Sequence, residues 1–308
     1  MSKIAFMFPG QGSQYVGMAK DFYEQFEESR QVFETATKLL GFSMEDLCFQ
    51  ENEQIHITEY TQAAMLTAST AILRKVQALG ITPDYTIGLS LGEYNALIAS
   101  DVMSFEDAVK VVRERSILMQ NAVPVGVGGM SAVLGTKKEL IEEVCKETEG
   151  IVSIANYNCP GQIVISGEKE AVEAAGVALK ERGAKRVIPL NVSGPFHSNM
   201  LEQAGKALGN VLENVTICEP NVPYIANVNA ELITKADGIK QLLEEQVYSS
   251  VRFEQSIEKL LEEGVTTFVE MGPGKTLSGF VKKINRNVTI MNIETVEDLE
   301  KLKEITRC

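Results

Sequence analysis

The segment Gly88-Leu89-Ser90-Leu91-Gly92 constrains the fold of this chain more than any other. A short apolar run ending in Thr86-Ile87 leads into it, and the helix-forming run 93–99 leads out. Gly-x-Ser-x-Gly between a strand and a helix is a nucleophile elbow. So tight a turn forces the serine into strained backbone geometry, and the flanking glycines remove side chains that would clash. The hydroxyl then stands above the strand end, with the positive end of the helix behind it. The bland alternative is a tight strand–helix connection with an idle serine.

The rest of the chain alternates strands and helices around this turn. Residues 4–8 form an expected strand followed by the glycine-rich loop 9–14. Phe22, Phe26, Phe33, Ala36 and Leu40 recur at helical spacing, and a second helix is expected over 63–79. Ser104 with Asp107 three residues on opens a helix that runs to about Asn121. Such alternation predicts a parallel sheet covered on both faces. After the linker 124–129 the rhythm changes: strand 130–134, helix 137–148, strands 151–157 and 162–166, helix 168–182 and strand 185–192. That is β-α-β-β-α-β, the order of a ferredoxin-like unit. A linker at Ser193-Gly194-Pro195 returns the chain to α/β alternation, with a helix after Ser198, strand 224–228, helix 253–263, strand 266–270, helix 275–284 and strand 289–293. The expected fold is α/β, with a large discontinuous domain over 1–126 and 196–308 and a ferredoxin-like insert over 127–195.

Composition narrows the function. A net charge of −13 argues against a nucleic-acid binder. No apolar run approaches a membrane span, and the first residues do not make a secretory signal. The five cysteines (48, 145, 159, 218 and 308) are scattered and never in Cys-x-x-Cys, which fits reduced thiols in the cytoplasm. Cys159 lies in a Gly/Pro turn compatible with exposure, with nothing nearby to mark it as activated. No cluster has metal-ligand spacing, so no metal is expected. Lys275, Lys282, Lys283 and Arg286 form one basic patch, and Arg182, Lys185 and Arg186 another.

A nucleophilic serine needs a base, and the chain has only two histidines. His197 lies at the seam where the insert rejoins the large domain, whereas His56 sits in a polar stretch and reads as a surface residue. His197 is therefore the expected base for Ser90. No aspartate or glutamate is well placed to act as a third member, so a main-chain carbonyl or an amide is expected to orient the ring. Arg115 falls on the apolar stripe formed by positions 108, 111, 112, 115, 118 and 119. A guanidinium there is costly unless it meets an anion; it is read as a structural ion pair, as an arginine snorkelling to the edge of the stripe, or as the partner of a carboxylate-bearing substrate. The loop at 9–14 is neither Gly-x-Gly-x-x-Gly nor a Walker A, and Gly272-Pro273-Gly274-Lys275-Thr276 lacks the earlier glycine of one. The first loop can still aim a backbone N–H at the site, making an oxyanion hole with the N–H of Leu91.

With these pieces in place, the chain resembles the malonyl-CoA:acyl-carrier-protein transacylase family over essentially its whole length. The resemblance rests on Phe8-Pro9-Gly10-Gln11-Gly12-Ser13-Gln14, Tyr60-Thr61-Gln62, Gly88–Tyr94 and Arg115 with Met119-Gln120. It continues through Asn158-Cys159-Pro160-Gly161-Gln162, Pro195-Phe196-His197 and Glu270-Met271-Gly272-Pro273-Gly274. The resemblance implies an α/β-hydrolase-like core with a ferredoxin-like insert. It implies that Ser90 takes the malonyl group from coenzyme A, with His197 as base. The N–H groups of Gln11 and Leu91 hold the oxyanion and Arg115 clamps the malonyl carboxylate. Gln62 and Asn158 neighbour the site, and Phe196 restricts the acyl pocket to malonyl. It further implies that the Arg252 carbonyl orients His197, and that the malonyl group passes to the pantetheine thiol of acyl carrier protein. No resident cofactor is implied, and a monomer is expected. Two positions depart from the family pattern: Leu89 stands where histidine is common, and Arg252 where glutamine is common. The competing functions are a trans-acting acyltransferase of a polyketide synthase, a serine thioesterase or esterase, and a silent binding module.

Overall fold

In this computed structural model, residues 2–192 and 194–305 are described; Ser193 of the second linker and Cys308 lie outside them. The first strand, β1 (Lys3–Phe8), is buried along its second half and lies parallel to β2 (Tyr85–Gly88). Phe8 pairs with Gly88, so both strands end at one level and place the glycine-rich loop beside the elbow. The insert supplies β3 (Gly128–Leu134), β4 (Val152–Cys159), β5 (Gln162–Glu168) and β6 (Arg186–Pro189). The chain then returns through β7 (Tyr224–Ile225), β8 (Leu232–Ile233), β9 (Val265–Met271) and β10 (Thr289–Ile293).

The large sheet runs β10-β9-β1-β2-β7-β8 and is parallel except for β8. Apolar side chains fill both of its faces, Phe6 and Phe8 on one side and Ala5 and Met7 on the other. This is the near-continuous apolar strand pattern of a doubly covered parallel sheet. The small sheet is antiparallel in the order β4-β5-β3-β6, with the helices Lys138–Glu147 and Lys169–Glu181 packed against it. The fold is thus α/β, an α/β-hydrolase-like core carrying a ferredoxin-like insert.

The small sheet is also joined by main chain to the segment before the Phe253–Glu262 helix. Asn156 of β4 forms a parallel bridge with Val251, whose N–H donates to Ala155 O at 2.8 Å and whose carbonyl accepts from Tyr157 N at 2.9 Å.

Several expected elements shift. The aromatic-rich helix is two, Lys20–Gln25 and Glu27–Leu40, broken where Phe26 turns extended. The next helix begins earlier than expected and spans Thr58–Ala78. The strand expected over 224–228 keeps only two residues. The helix Ile239–Gln246 was not expected, because its run of charged and amide residues masks a stripe of Ile239 and Leu243. Cys159 is buried in the core rather than accessible.

Candidate active site

The elbow forms as its glycines require. A Cβ on Gly88 would lie 1.9 Å from the Gly92 carbonyl carbon, and one on Gly92 would lie 2.1 Å from Phe8 O. Ser90 is held at φ 53°, left-handed geometry that costs a non-glycine residue about 1–2 kcal/mol. Asn227 braces it from across the sheet. Its Oδ1 accepts from Ser90 N at 2.7 Å, and its Nδ2 donates to Gly88 O at 2.7 Å.

Ser90 Oγ lies 2.8 Å from His197 Nε2. His197 Nδ1 lies 2.8 Å from the main-chain carbonyl of Gln246, which can only accept. The proton therefore sits on Nδ1 and leaves Nε2 free to accept from the serine. Desolvation, reinforced by the Arg115 charge, pulls the His197 pKa down to about 4. The ring is thus neutral near pH 7 and competent as a base. The His197 main chain is tied to the same segment through its N–H to Val247 O at 3.2 Å. His56, by contrast, is exposed.

The carbonyl that meets the ring belongs to Gln246, six positions before Arg252. The expectation for Arg252 is corrected accordingly: its carbonyl accepts from Ser256 N and Oγ, as the first turn of the Phe253–Glu262 helix demands. Its side chain donates through Nε to Val228 O at 2.9 Å and lies over the Tyr157 ring. Arg252 N donates to Asn227 O at 2.9 Å, so the residue steadies the segment that braces the elbow.

Arg115 is fully buried on the Phe105–Asn121 helix. Its two terminal nitrogens donate to Gln62 Oε1 at 2.5 Å, Gln246 Oε1 at 2.8 Å and Ser90 Oγ at 3.1 Å. No carboxylate lies within ion-pair distance of it among the described residues, and its Nε has no partner. Burial pulls its pKa below the ordinary guanidinium value. The structural ion pair is thereby set aside, as is snorkelling, since the group is fully buried: amides, the serine hydroxyl and the Tyr94 ring, 5.7 Å away at its centroid, are what meet this cation.

A cavity of about 310 Å³ opens onto Ser90 and His197, walled by strands of the small sheet and by the loops that follow β1 and β2. Gln11, Gln62, Leu91, Asn158, Phe196 and the divergent Leu89 all line it. Gln11 and Leu91 line the same pocket as the nucleophile. Gln62 reaches Gln11 Oε1 at 3.4 Å, linking the loop to Arg115. The Asn158 side chain is buried with its Oδ1 unpartnered. Asn227, Gln246 and Glu93 were missed by sequence reasoning. Glu93 alone carried a local signal, as a carboxylate in the first turn behind the elbow. Among the described residues no group of three ligating side chains could hold a metal ion, and no helix is long and apolar enough to cross a membrane.

Fold and site together define a class: an α/β-hydrolase-like chain whose elbow serine is hydrogen-bonded to a histidine, the pairing by which serine enzymes form acyl intermediates. The acyl transferase domain family matches residues 5–302. The malonyl CoA-acyl carrier protein transacylase of Bacillus subtilis (strain 168) is 50% identical over 97% of this chain and 96% of its own length. The crystal structure of the Clostridium perfringens malonyl CoA-acyl carrier protein transacylase superposes with a TM-score of 0.96 at 48% identity, covering 99% of this chain and 98% of that one. A malonyl-transacylase solved in complex with a type II polyketide acyl-carrier protein superposes with a TM-score of 0.96 at 40% identity, covering 99% and 100%. The chain belongs to the malonyl CoA-acyl carrier protein transacylase family.

Proposed function

We propose that this chain transfers a malonyl group from coenzyme A to the pantetheine thiol of acyl carrier protein through a malonyl-serine ester, for fatty acid synthesis. The observation that carries the reading is Arg115, a buried cation without a carboxylate partner that touches the nucleophile itself. A neutral acyl group would leave that guanidinium without a carboxylate in contact, whereas a malonyl carboxylate supplies one.

In the first half-reaction Ser90 Oγ attacks the thioester carbonyl while its proton passes to His197 Nε2. The developing oxyanion is held by the N–H groups of Gln11 and Leu91. Collapse breaks the C–S bond, and the proton on Nε2 leaves with the coenzyme A thiol. The malonyl carboxylate takes the place of Gln62 Oε1 on the guanidinium. In the second half-reaction His197 deprotonates the pantetheine thiol, whose sulfur displaces Ser90 Oγ, and the proton returns to the serine. Phe196, buried on the pocket wall, leaves little room for an α-methyl branch. The reading places a monomer in the cytoplasm, needs no resident metal or cofactor, and divides the chain into a catalytic domain over 1–126 and 196–308 and an insert over 127–195.

The carrier protein docks at the pocket mouth. The Thr276–Ile284 helix supplies Thr276 and Phe280 to the lining, and its Lys282 and Lys283 are exposed beside it with Arg286. The other basic patch is less available, since Arg182 is engaged by Glu143 and Glu147. A polyketide carrier is the second reading, favoured by the relative solved with one. Intact mass measurement after incubation with malonyl-CoA tests the proposal. A malonyl adduct is expected, absent in Ser90→Ala and moving to fatty-acid carrier protein on mixing. An adduct lost to water without transfer would make the chain a thioesterase instead.

A further inference from the structure

Glu93 is almost wholly buried, in the first turn of the Gly92–Ala99 helix and three residues past the nucleophile. Its Oε2 accepts from Gln246 Nε2 at 2.6 Å, and its two oxygens lie 3.3 and 3.4 Å from Asn227 N. No lysine or arginine forms a direct ion pair with it among the described residues. A carboxylate so placed is costly to bury and calls for a reason.

The reason lies in Gln246, fully buried at the end of the Ile239–Gln246 helix. An isolated amide side chain can be turned either way round. Here its orientation is dictated, because Nε2 faces two acceptors, Ser90 O at 2.9 Å and the Glu93 carboxylate, while Oε1 faces Arg115. The main-chain carbonyl of the same residue receives His197 Nδ1–H. One residue therefore holds both the base and the guanidinium, and Glu93 is the anion that anchors it.

We propose that Glu93 is a positioning residue for acyl transfer: through Gln246 it fixes the carbonyl that orients His197 and the amide oxygen that holds Arg115, doing at one remove what the third carboxylate of a Ser-His-Asp triad does by contact. The inference rests on the acyl-transfer reading above. Charge supports it. When His197 takes the serine proton, an imidazolium forms beside Arg115, and Glu93 is the anion facing the pair across Gln246. The other titratable groups around Glu93 are the neighbouring Tyr94 and, from β7, Tyr224, both neutral phenols with unpartnered hydroxyls. Burial pushes the Glu93 carboxyl up to about 7, against the opposing pull of Gln246, Asn227 and Arg115. Its charge, and with it the hold on Gln246, is therefore drawn off as pH falls below neutrality.

The test is the rate of malonyl-serine formation, followed by quenched intact mass from about pH 5 to 9, in wild type, Glu93→Gln, Gln246→Met and the double variant. Glu93→Gln is expected to slow acylation on the order of ten- to hundredfold, the equivalent of one hydrogen bond to a charged group, with KM for malonyl-CoA little changed. Wild type is expected to show an acid limb near pH 7, and Glu93→Gln should remove it. On the Gln246→Met background the same substitution should cost less than about threefold, because the path through Gln246 is already cut. If Glu93→Gln does not fold, Gln246→Met alone must slow acylation and lose the limb. Acylation by folded Glu93→Gln within about twofold of wild type, additive losses in the double variant, or a surviving limb would overturn the proposal. A wild-type chain that takes no malonyl group at all would instead overturn the acyl-transfer reading, and this inference with it.

Discussion

Replacing Arg115 with alanine separates substrate recognition from scaffold. In the folded chain the guanidinium donates to Gln62, Gln246 and Ser90 Oγ. Its loss leaves the two amide oxygens buried without that donor and opens a cavity, and this damage falls on every acyl substrate alike. The malonyl carboxylate loses more. Two hydrogen bonds between charged groups, at about 1.5–3 kcal/mol each, amount to about 3–6 kcal/mol, or roughly 10²- to 10⁴-fold in acylation. An acetyl group never made those contacts. The readout is therefore the malonyl-to-acetyl ratio of acyl-serine formation, measured by quenched intact mass with each coenzyme A thioester. The ratio should fall by that factor in Arg115→Ala and recover partly in Arg115→Lys, which restores the charge but not the fork. An unchanged ratio, with both substrates slowed equally, would show that Arg115 only supports the elbow and would refute the carboxylate clamp.

Wild type should load malonyl at least about tenfold faster than methylmalonyl, and Phe196→Ala should narrow the gap; comparable rates in wild type would sink the steric argument. Reversing Lys282 and Lys283 to glutamate should raise KM for carrier protein and flatten its salt dependence while malonyl-CoA loading is untouched; steady-state kinetics with each substrate varied checks this. Stability should also report the two buried titrating groups. His197 sits at about 4 against 6.5, so the stability its neutral ring contributes is present above 6.5 and lost as pH falls towards 4. Glu93 sits at about 7 against 4.5, so its contribution is present below 4.5 and lost as pH rises through 7, the opposite slope. Glu93→Gln removes one of the two, and urea denaturation across about pH 4.5 to 6.5 should then show stability climbing with pH more steeply than in wild type. Parallel curves for the two proteins would contradict the placement of these groups.

How much could be read from the residues depends on what each contributes. Ser90 was legible because its strain demands glycines on either side, and Arg115 because a cation on an apolar helix face breaks a pattern. The insert was legible because its β-α-β-β-α-β order differs from the alternation around it. Gln246 was not, since the group that matters is a main-chain carbonyl, which any residue supplies and which only the end of the Ile239–Gln246 helix positions. The same reasoning misplaced the role onto Arg252, in the right segment but beyond the turn. Asn227 acts on Ser90 from 137 residues away, a pairing created by β7 lying beside β2 and invisible to local spacing.

The bridge between Asn156 and Val251 has a consequence for engineering this family. The strand it uses, β4, belongs to the insert, while Val251 lies five residues past the carbonyl that holds His197. An insert exchanged from another relative must therefore bring more than matching ends. It must present β4 in the same register, or the segment that follows the carbonyl orienting the base loses two main-chain hydrogen bonds and the catalytic pair loosens without any catalytic residue being changed.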